Sequence, residues 1–212
     1  MNSFLATGAL VLVLAFCGIG DRLKQMSGGS GSSNSSSNSS SGTKTASGGS
    51  FEKPSLSSAQ QSIQDAAQEI SWSEQGISWK LPAAWKKMDV KKETFNYSGP
   101  DNAALLVNIS PMSSDFPVDS SITAYYDQAV QQMKNGKYEK VRYLEIDGVK
   151  GVEWVEAPPE GKDDPRRHQW IGYRSYLGQT QMLNVMTAVR ADNFAKNADT
   201  FPAILYSMKA TK

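Results

Sequence analysis

The chain has 212 residues, with 22 Lys and Arg against 21 Asp and Glu, and a formal net charge of +1. This length fits one domain with appendages, and the balanced charge excludes a strongly basic surface for nucleic acid. The single cysteine, Cys17, excludes an intramolecular disulfide and a CxxC metal or redox motif. No nucleic acid, metal or cofactor is expected to bind, and the protein is expected to be a monomer.

The first 16 residues are typical of an export signal. Phe4 to Phe16 form a continuous apolar run, which is short for a membrane span of about 20 residues but suits the core of a signal. Residues 14–17, Leu-Ala-Phe-Cys, resemble the bacterial lipobox, in which a small residue precedes a cysteine that becomes lipidated. Phe16 departs from that pattern, and residues 1–3 lack a basic side chain. The resemblance predicts lipid attachment at Cys17.

Lipidation at Cys17 implies a protein of the bacterial cell envelope, attached to a membrane and facing away from the cytoplasm. An uncleaved anchor and ordinary secretion remain as alternatives. Arg22 and Lys24 lie only on the C-terminal side of the apolar run. An uncleaved anchor would therefore leave the domain in the cytoplasm.

Residues 17–50 are predicted to form a flexible tether. The part from Ser27 to Ser50 contains 12 serines and 6 glycines in 24 residues. Such a segment has no apolar surface to offset its chain entropy. It serves either to let the domain reach a target or as a simple spacer.

Residues 51–71 are predicted to form a short helical stalk. Ser57 or Ser58 can cap a helix, and its apolar residues are Ile63, Ala66, Ala67 and Ile70. Because this stripe is thin, the helix is expected to lie weakly on the domain or free of it. The globular domain is then expected to span residues 72–212.

Strands and helices follow in the domain. Alternating apolar residues predict strands at Ile77–Leu81, ended by Pro82, around Phe95 and Tyr97, and over residues 103–109, ended by Pro111. An amphipathic helix is predicted to begin at Ser120 or Ser121 and to end at Asn135–Gly136. Its apolar stripe is Ile122, Tyr125, Tyr126, Ala129, Val130 and Met133. A last helix should begin at Asp199 or Thr200 and bury Phe201, Ile204, Leu205 and Met208.

Two hairpins lie between these helices. Asp147–Gly148 predicts a type I′ turn that pairs Tyr143 with Val152 and Val141 with Trp154. Gly178–Gln179 predicts a type II′ turn that pairs Arg174 with Leu183. Alternation then puts Trp170, Arg174, Leu183, Val185 and Val189 on one face, and Ile171, Tyr173, Met182 and Met186 on the other. Both faces are largely apolar, which indicates a sheet covered on both sides.

The fold class predicted from this order is α+β, an antiparallel sheet of about six to seven strands with helices on both faces. The segments ISWKLPAAWKKM, FNYSGPDNAALLVNIS, IDGVKGVEW and AILYSMK together resemble the PsbP-like superfamily. That group includes the PsbP subunit of photosystem II, a Ran-binding nuclear-transport factor and small bacterial lipoproteins of the DcrB and LpqN type. The resemblance covers about residues 72–212 and implies an α/β/α sandwich in an adaptor or envelope protein. It assigns no functional residue.

No catalytic constellation is visible in the sequence. The only histidine, His168, is expected at the surface near a strand end, without a GxSxG motif or a usable cysteine. Glu153 and Glu156 point to opposite faces, and a loop with Glu160, Asp163 and Asp164 lacks the spacing of a calcium site. The tryptophans are expected in the core, with Trp85 partly exposed.

Two function classes are therefore considered. The first is a membrane-tethered, non-enzymatic binding or adaptor module whose partner, an envelope protein or a ligand, is unknown. The alternative is an envelope hydrolase with an unrecognised carboxylate or tyrosine site.

Overall fold

Two antiparallel sheets organise residues 49–211, the part of the chain that the structure, a computed structural model, describes. The strands are β1 (Gln68–Trp72), β2 (Ile77–Leu81), β3 (Lys86–Val90), β4 (Thr94–Ser98), β5 (Ala104–Pro111), β6 (Tyr138–Ile146), β7 (Val149–Glu156), β8 (Pro165–Tyr176), β9 (Gln179–Arg190) and β10 (Lys209–Ala210). The main sheet has the order β3-β4-β5-β9-β8-β7-β6, and the small sheet has the order β1-β2-β10. The predicted antiparallel sheet of six to seven strands is confirmed, although β2 lies in the small sheet.

Helices cover both faces of the main sheet, as predicted. They are α1 (Ser58–Ala66), α2 (Val118–Lys134), α3 (Ala191–Phe194) and α4 (Thr200–Tyr206). On one face α2 packs against β6 and β7, over a buried cluster of Ile122, Ala129, Val152, Trp154, Ile171 and Tyr173. The other face carries a larger core, to which the small sheet and α4 contribute Trp72, Trp79, Phe201 and Ile204. Adjacent residues such as Trp170 and Ile171 fall in different cores, as strand alternation requires.

The limits of the helices agree with the sequence patterns, with one shift. α2 begins at Val118, before the predicted Ser120 or Ser121, because Pro117 occupies the N-cap position and its ring restricts φ. The helix ends at Lys134, and Gly136 adopts the expected left-handed conformation with a φ of 72°. α4 begins at Thr200 as predicted, and its four predicted core residues are buried.

The hairpin of β6 and β7 has the predicted turn and register. Tyr143 lies opposite Val152, and Val141 lies opposite Trp154. The turn residues Asp147–Gly148 have φ angles of 49° and 84°. Both values are positive, as a type I′ turn requires.

The hairpin of β8 and β9 forms with a different turn from the predicted one. Leu177 and Gly178 are the two turn residues, with φ angles of 50° and 76°, so the turn is again of the I′ kind. Arg174 therefore lies opposite Gln181, and the predicted pairing with Leu183 is wrong. The shift is two residues, so every side chain keeps its predicted face.

The segment that precedes α1 is attached to the main sheet. The Glu52 N–H donates to the Tyr143 carbonyl at 3.2 Å, and the Glu145 N–H donates to the Glu52 carbonyl at 2.8 Å. The ring of Phe51 packs against Tyr143, with 5.1 Å between ring centroids. This segment thus extends the β6 edge of the sheet.

α1 also belongs to the domain. Ser57 caps it as predicted, and the Gln64 side-chain amide donates to the Ala203 carbonyl of α4 at 2.8 Å. β1 then pairs with β2 along its whole length. The predicted boundary between residues 71 and 72 falls inside β1, so the domain begins earlier than the sequence indicates.

The signal segment, Cys17 and nearly all of the tether lie outside the described residues. Among residues 49–211, no helix combines the length and apolar character needed to cross a membrane.

Candidate functional site

Arg174 is a charged side chain on the buried face of β8. The residue is only 9% exposed. It shares its face with Trp170, which is fully buried in the larger core. An arginine in this position needs a set of hydrogen-bond acceptors, because desolvation of a charge is costly.

Two glutamines supply those acceptors. The Arg174 Nε donates to Gln181 Oε1 at 3.0 Å, and Nη2 donates to the Gln75 carbonyl at 2.6 Å. The two amides also contact each other, because Gln181 Nε2 donates to Gln75 Oε1 at 3.0 Å. A 3₁₀ turn over Ser73–Gln75, closed by left-handed Gly76, brings Gln75 to this point. The guanidinium further lies over the Tyr176 ring, 4.4 Å from its centroid.

The positive charge of Arg174 has no carboxylate beside it within residues 49–211. Its Nε and Nη2 groups contact amide and carbonyl oxygens only. Nη1 is buried and has no hydrogen-bond partner in the same part of the chain. Burial lowers the pKa of Arg174, and the neighbouring Tyr176 offsets part of this effect. A guanidinium nevertheless stays protonated, so a buried cation is left without a counter-charge.

A pocket of about 270 Å³ adjoins this arginine at the end of the β8–β9 hairpin, and we call it the hairpin-end pocket. Its lining comprises Glu74, Gln75, Lys92, Glu93, Ile109, Pro111, Tyr176, Leu177, Gln179 and Gln181. Gln75, Tyr176 and Gln181 therefore contact the guanidinium and also line the pocket. The arginine is not itself a lining residue, and it lies behind the wall that these three residues form.

A second buried cluster surrounds Glu153 on β7. Its side chain is fully buried and accepts from His168 Nε2 at 2.8 Å and from Arg142 Nε at 2.5 Å. The Tyr206 hydroxyl also donates to this carboxylate, and Lys140 Nζ lies 3.2 Å away. His168 is 2% exposed, so the predicted surface histidine is wrong. Its side chain points inward because it shares a face with Trp170.

The surroundings of Glu153 make it a fixed anion. Burial alone would raise its pKa, but the hydrogen bond and charge of His168, with Arg142 and Lys140, hold the pKa well below the ordinary value. Burial and the adjacent Glu153 charge raise the pKa of Tyr206. Neither group can therefore exchange a proton readily near neutral pH. The cluster acts as a structural link between β6, β7, β8 and α4.

Tyr206 also lines a second pocket, of about 470 Å³. Lys53, Glu145, Asp147 and Lys209 are among its other lining residues. Asp147 already accepts from Lys209 Nζ and from the Ala210 N–H. Two of the charges in this pocket, Asp147 and Lys209, are therefore paired with each other.

The remaining candidates from the sequence add no site. The five tryptophans are all 6% exposed or less, so the expected partial exposure of Trp85 is wrong. Glu156 pairs with Arg167, away from Glu153. No group of three or more metal-ligating side chains occurs among residues 49–211. The proposed lipid site, Cys17, lies outside that range.

The hairpin-end site was not predicted, although part of its signal was visible. The alternation of side chains along the strand placed Arg174 on the same face as Trp170 and Leu183. An arginine on an apolar face indicates a buried charge. Gln75 could not be predicted, because it lies 99 residues away in sequence.

The comparisons with known proteins found similarities among solved structures. No family model and no curated protein matches the chain. Among solved structures, it is similar to cyanobacterial PsbP (CyanoP) from Synechocystis, with 15% identity, a TM-score of 0.44, and coverage of 69% of this chain and 94% of that one.

Two further structures are similar. LpqN, involved in cell envelope biogenesis of Mycobacterium tuberculosis, has 14% identity and a TM-score of 0.47, with 64% of this chain and 83% of that one covered. The Ran-binding protein Mog1p of Saccharomyces cerevisiae has 9% identity and a TM-score of 0.39, with 68% and 95% covered. PsbP and LpqN are both named in the group that the sequence resembles, and at these identities and TM-scores the similarities assign no role to this chain.

Proposed function

We propose that this protein is a non-enzymatic binding module of the bacterial cell envelope, and that the hairpin-end pocket is its ligand site. The observation that carries the proposal is the buried, unbalanced charge of Arg174 behind this pocket. A protein that kept such a charge for stability alone would gain more from an apolar residue of similar size. A bound ligand with a negative group would supply the missing counter-charge.

The lining of the pocket favours binding over catalysis. It contains no serine, cysteine or histidine that could act as a nucleophile with its base. Its two carboxylates, Glu74 and Glu93, lie on exposed residues, whereas a general acid needs a buried carboxyl with a raised pKa. The buried Glu153 cluster, the other carboxylate and tyrosine site, contains a fixed anion with its pKa lowered.

Attachment to a membrane through lipidated Cys17 is the second part of the proposal. Its support is the apolar run that ends at Phe16, the lipobox-like residues 14–17 and the Ser/Gly-rich segment that follows. Among the described residues, Phe51 and Glu52 already contact the main sheet. A tether of about 30 residues would then separate lipid and ligand site, enough to let the pocket reach material away from the membrane surface.

The test is retention of a small molecule by the full 212-residue chain. The protein would be purified in detergent after incubation with a metabolite extract, and bound molecules would be identified by mass spectrometry. The matched variant is Glu93→Trp, which places a bulky side chain in the pocket from an exposed lining position. The proposal expects a molecule that the wild type retains and the variant loses. Identical retention, or none, would contradict it.

A further inference from the structure

The charges around the hairpin-end pocket are of both signs and differ in burial. Arg174 lies behind the wall formed by Gln75, Tyr176 and Gln181. Glu74 and Glu93 are lining residues with exposed positions. Neither of these carboxylates takes part in an ion pair among residues 49–211. The pocket thus has a buried cation behind its wall that lacks a counter-charge in the described part of the chain, and two exposed, solvated anions in its lining.

A ligand with a single charge does not match this arrangement. A simple anion would be attracted by Arg174 but repelled by Glu74 and Glu93. A simple cation would be attracted by the two carboxylates but repelled by the arginine, whose field is stronger because it is buried. A ligand that carries both a carboxylate and an ammonium group satisfies both ends. Lys92, also in the lining, offsets only one of the two exposed negative charges.

Of the four other lining residues, Gln179 is polar and three are apolar. Ile109 is buried, Pro111 is exposed, and Leu177 at the turn is 87% exposed. An exposed leucine at the tip of a hairpin gains nothing from the fold, but it can cover an apolar group that enters the pocket. The volume, about 270 Å³, lies just below the range of pockets for drug-sized ligands. A small molecule with one apolar side group fits these features.

We infer that the hairpin-end pocket binds an apolar α-amino acid, with its carboxylate toward Arg174, its ammonium group toward Glu74 and Glu93, and its side chain against Leu177. This inference rests on the proposed binding function and names its ligand class. The carboxylate supplies the counter-charge that the described part of the chain does not give to Arg174. The two exposed carboxylates then select against acids that lack the amine.

The test compares three probes by isothermal titration calorimetry on the full chain in detergent. L-leucine carries both charges, L-leucinamide lacks the carboxylate, and 4-methylpentanoate lacks the ammonium group. We expect leucine to bind at least about tenfold more tightly than either analogue, because each loses one charge interaction. Equal or tighter binding of either analogue, or no binding of leucine at millimolar concentration, would overturn the inference.

Two sets of variants assign the charges. Glu74→Gln combined with Glu93→Gln changes only exposed residues, so the fold should be kept. It should remove the preference for leucine over 4-methylpentanoate and leave the preference over leucinamide. Arg174→Gln should remove the preference for leucine over leucinamide and leave the preference over 4-methylpentanoate. Arg174→Lys, which keeps the positive charge, should retain both preferences. A double variant that still prefers leucine over 4-methylpentanoate would show that the exposed carboxylates do not contact an ammonium group.

The inference and the proposed function fail separately. Retention of a purely anionic molecule by the wild type, lost in Glu93→Trp, would overturn the amino-acid inference and leave the binding function standing. If Glu93→Trp retains the same molecule as the wild type, both the amino-acid inference and the proposed ligand site are contradicted.

Discussion

Replacing Glu153 by alanine is expected to destabilise the domain by about 3–5 kcal/mol, the cost of removing one partner from a buried ion pair. The Glu153 side chain is fully buried and holds Arg142 at 2.5 Å and His168 at 2.8 Å. Each of these would lose its acceptor, at about 1–3 kcal/mol per buried donor. Lys140 contributes little, because its side chain is 43% exposed and water replaces the carboxylate. For a domain of ordinary stability, about 5–15 kcal/mol, this is about a fifth or more of the free energy of unfolding.

The measurement is urea unfolding of the full chain, followed by circular dichroism. Glu156→Ala is the matched control, since Glu156 lies on the same strand and pairs with Arg167, whose side chain is 34% exposed. The Glu156 side chain is 20% exposed and also accepts the Arg167 N–H. Because water reaches both partners of this pair, its loss should cost clearly less than the loss of Glu153. If Glu153→Ala costs no more than Glu156→Ala, the Glu153 cluster does not link the sheet and α4 as argued.

The same cluster predicts how stability depends on pH. The pKa of Glu153 in the folded domain lies well below its ordinary value of 4.5. Its contribution is therefore fully present above pH 4.5 and is lost as the pH falls, because the unfolded chain takes up the proton first. The stability difference between wild type and Glu153→Gln should narrow as the pH is lowered from 4.5. A difference that stays constant over that range would contradict the pKa assignment.

Three further predictions concern other parts of the chain. A chain that begins at Ser71 should have a free energy of unfolding lower by about 3 kcal/mol or more in urea, because α1 and most of β1 pack on the domain. A decrease below about 1 kcal/mol would instead support the predicted stalk, in which these residues pack only weakly. Leu177→Asn should raise the free energy of unfolding by about 1 kcal/mol, since asparagine tolerates the positive φ better than leucine. An equal or lower urea midpoint of unfolding would refute this. Cys17→Ser should abolish labelling by a fatty-acid analogue at unchanged melting temperature, whereas an unlabelled wild type would exclude lipidation.

Local patterns predicted most of the main sheet and its helices. The turn at Asp147–Gly148 and the stripe of α2 depend on neighbours within a few residues. The turn is confirmed. The stripe is confirmed in part, because Ile122 and Ala129 are buried and Tyr125 and Tyr126 pack against their cluster, whereas Met133 is 38% exposed. Pro82 and Pro111 end strands where predicted, because a proline has no N–H for the ladder. These features require only the side-chain periods of strands and helices, which are readable without knowledge of the tertiary structure.

The sequence did not predict features that depend on distant contacts. α1 has a thin apolar stripe, and it is held partly by the Gln64 amide on the Ala203 carbonyl, a polar contact that hydropathy does not report. His168 was predicted to lie at the surface because it is near a strand end, beside Arg166 and Arg167. Its burial depends on Glu153, which enters from a neighbouring strand. A buried polar pair of this kind is invisible until both partners are known.

The hairpin-end site shows why a register error matters more for function than for fold. A shift of two residues leaves each side chain on its face. The core residues of β8 and β9 were therefore predicted correctly, although the turn was not. The partner of Arg174, however, changed from Leu183 to Gln181. With leucine opposite, the arginine would have one acceptor fewer and no link to Gln75 through the second amide. The left-handed Leu177, which moves the turn by one position, is therefore what brings the two glutamines and the arginine together behind the pocket.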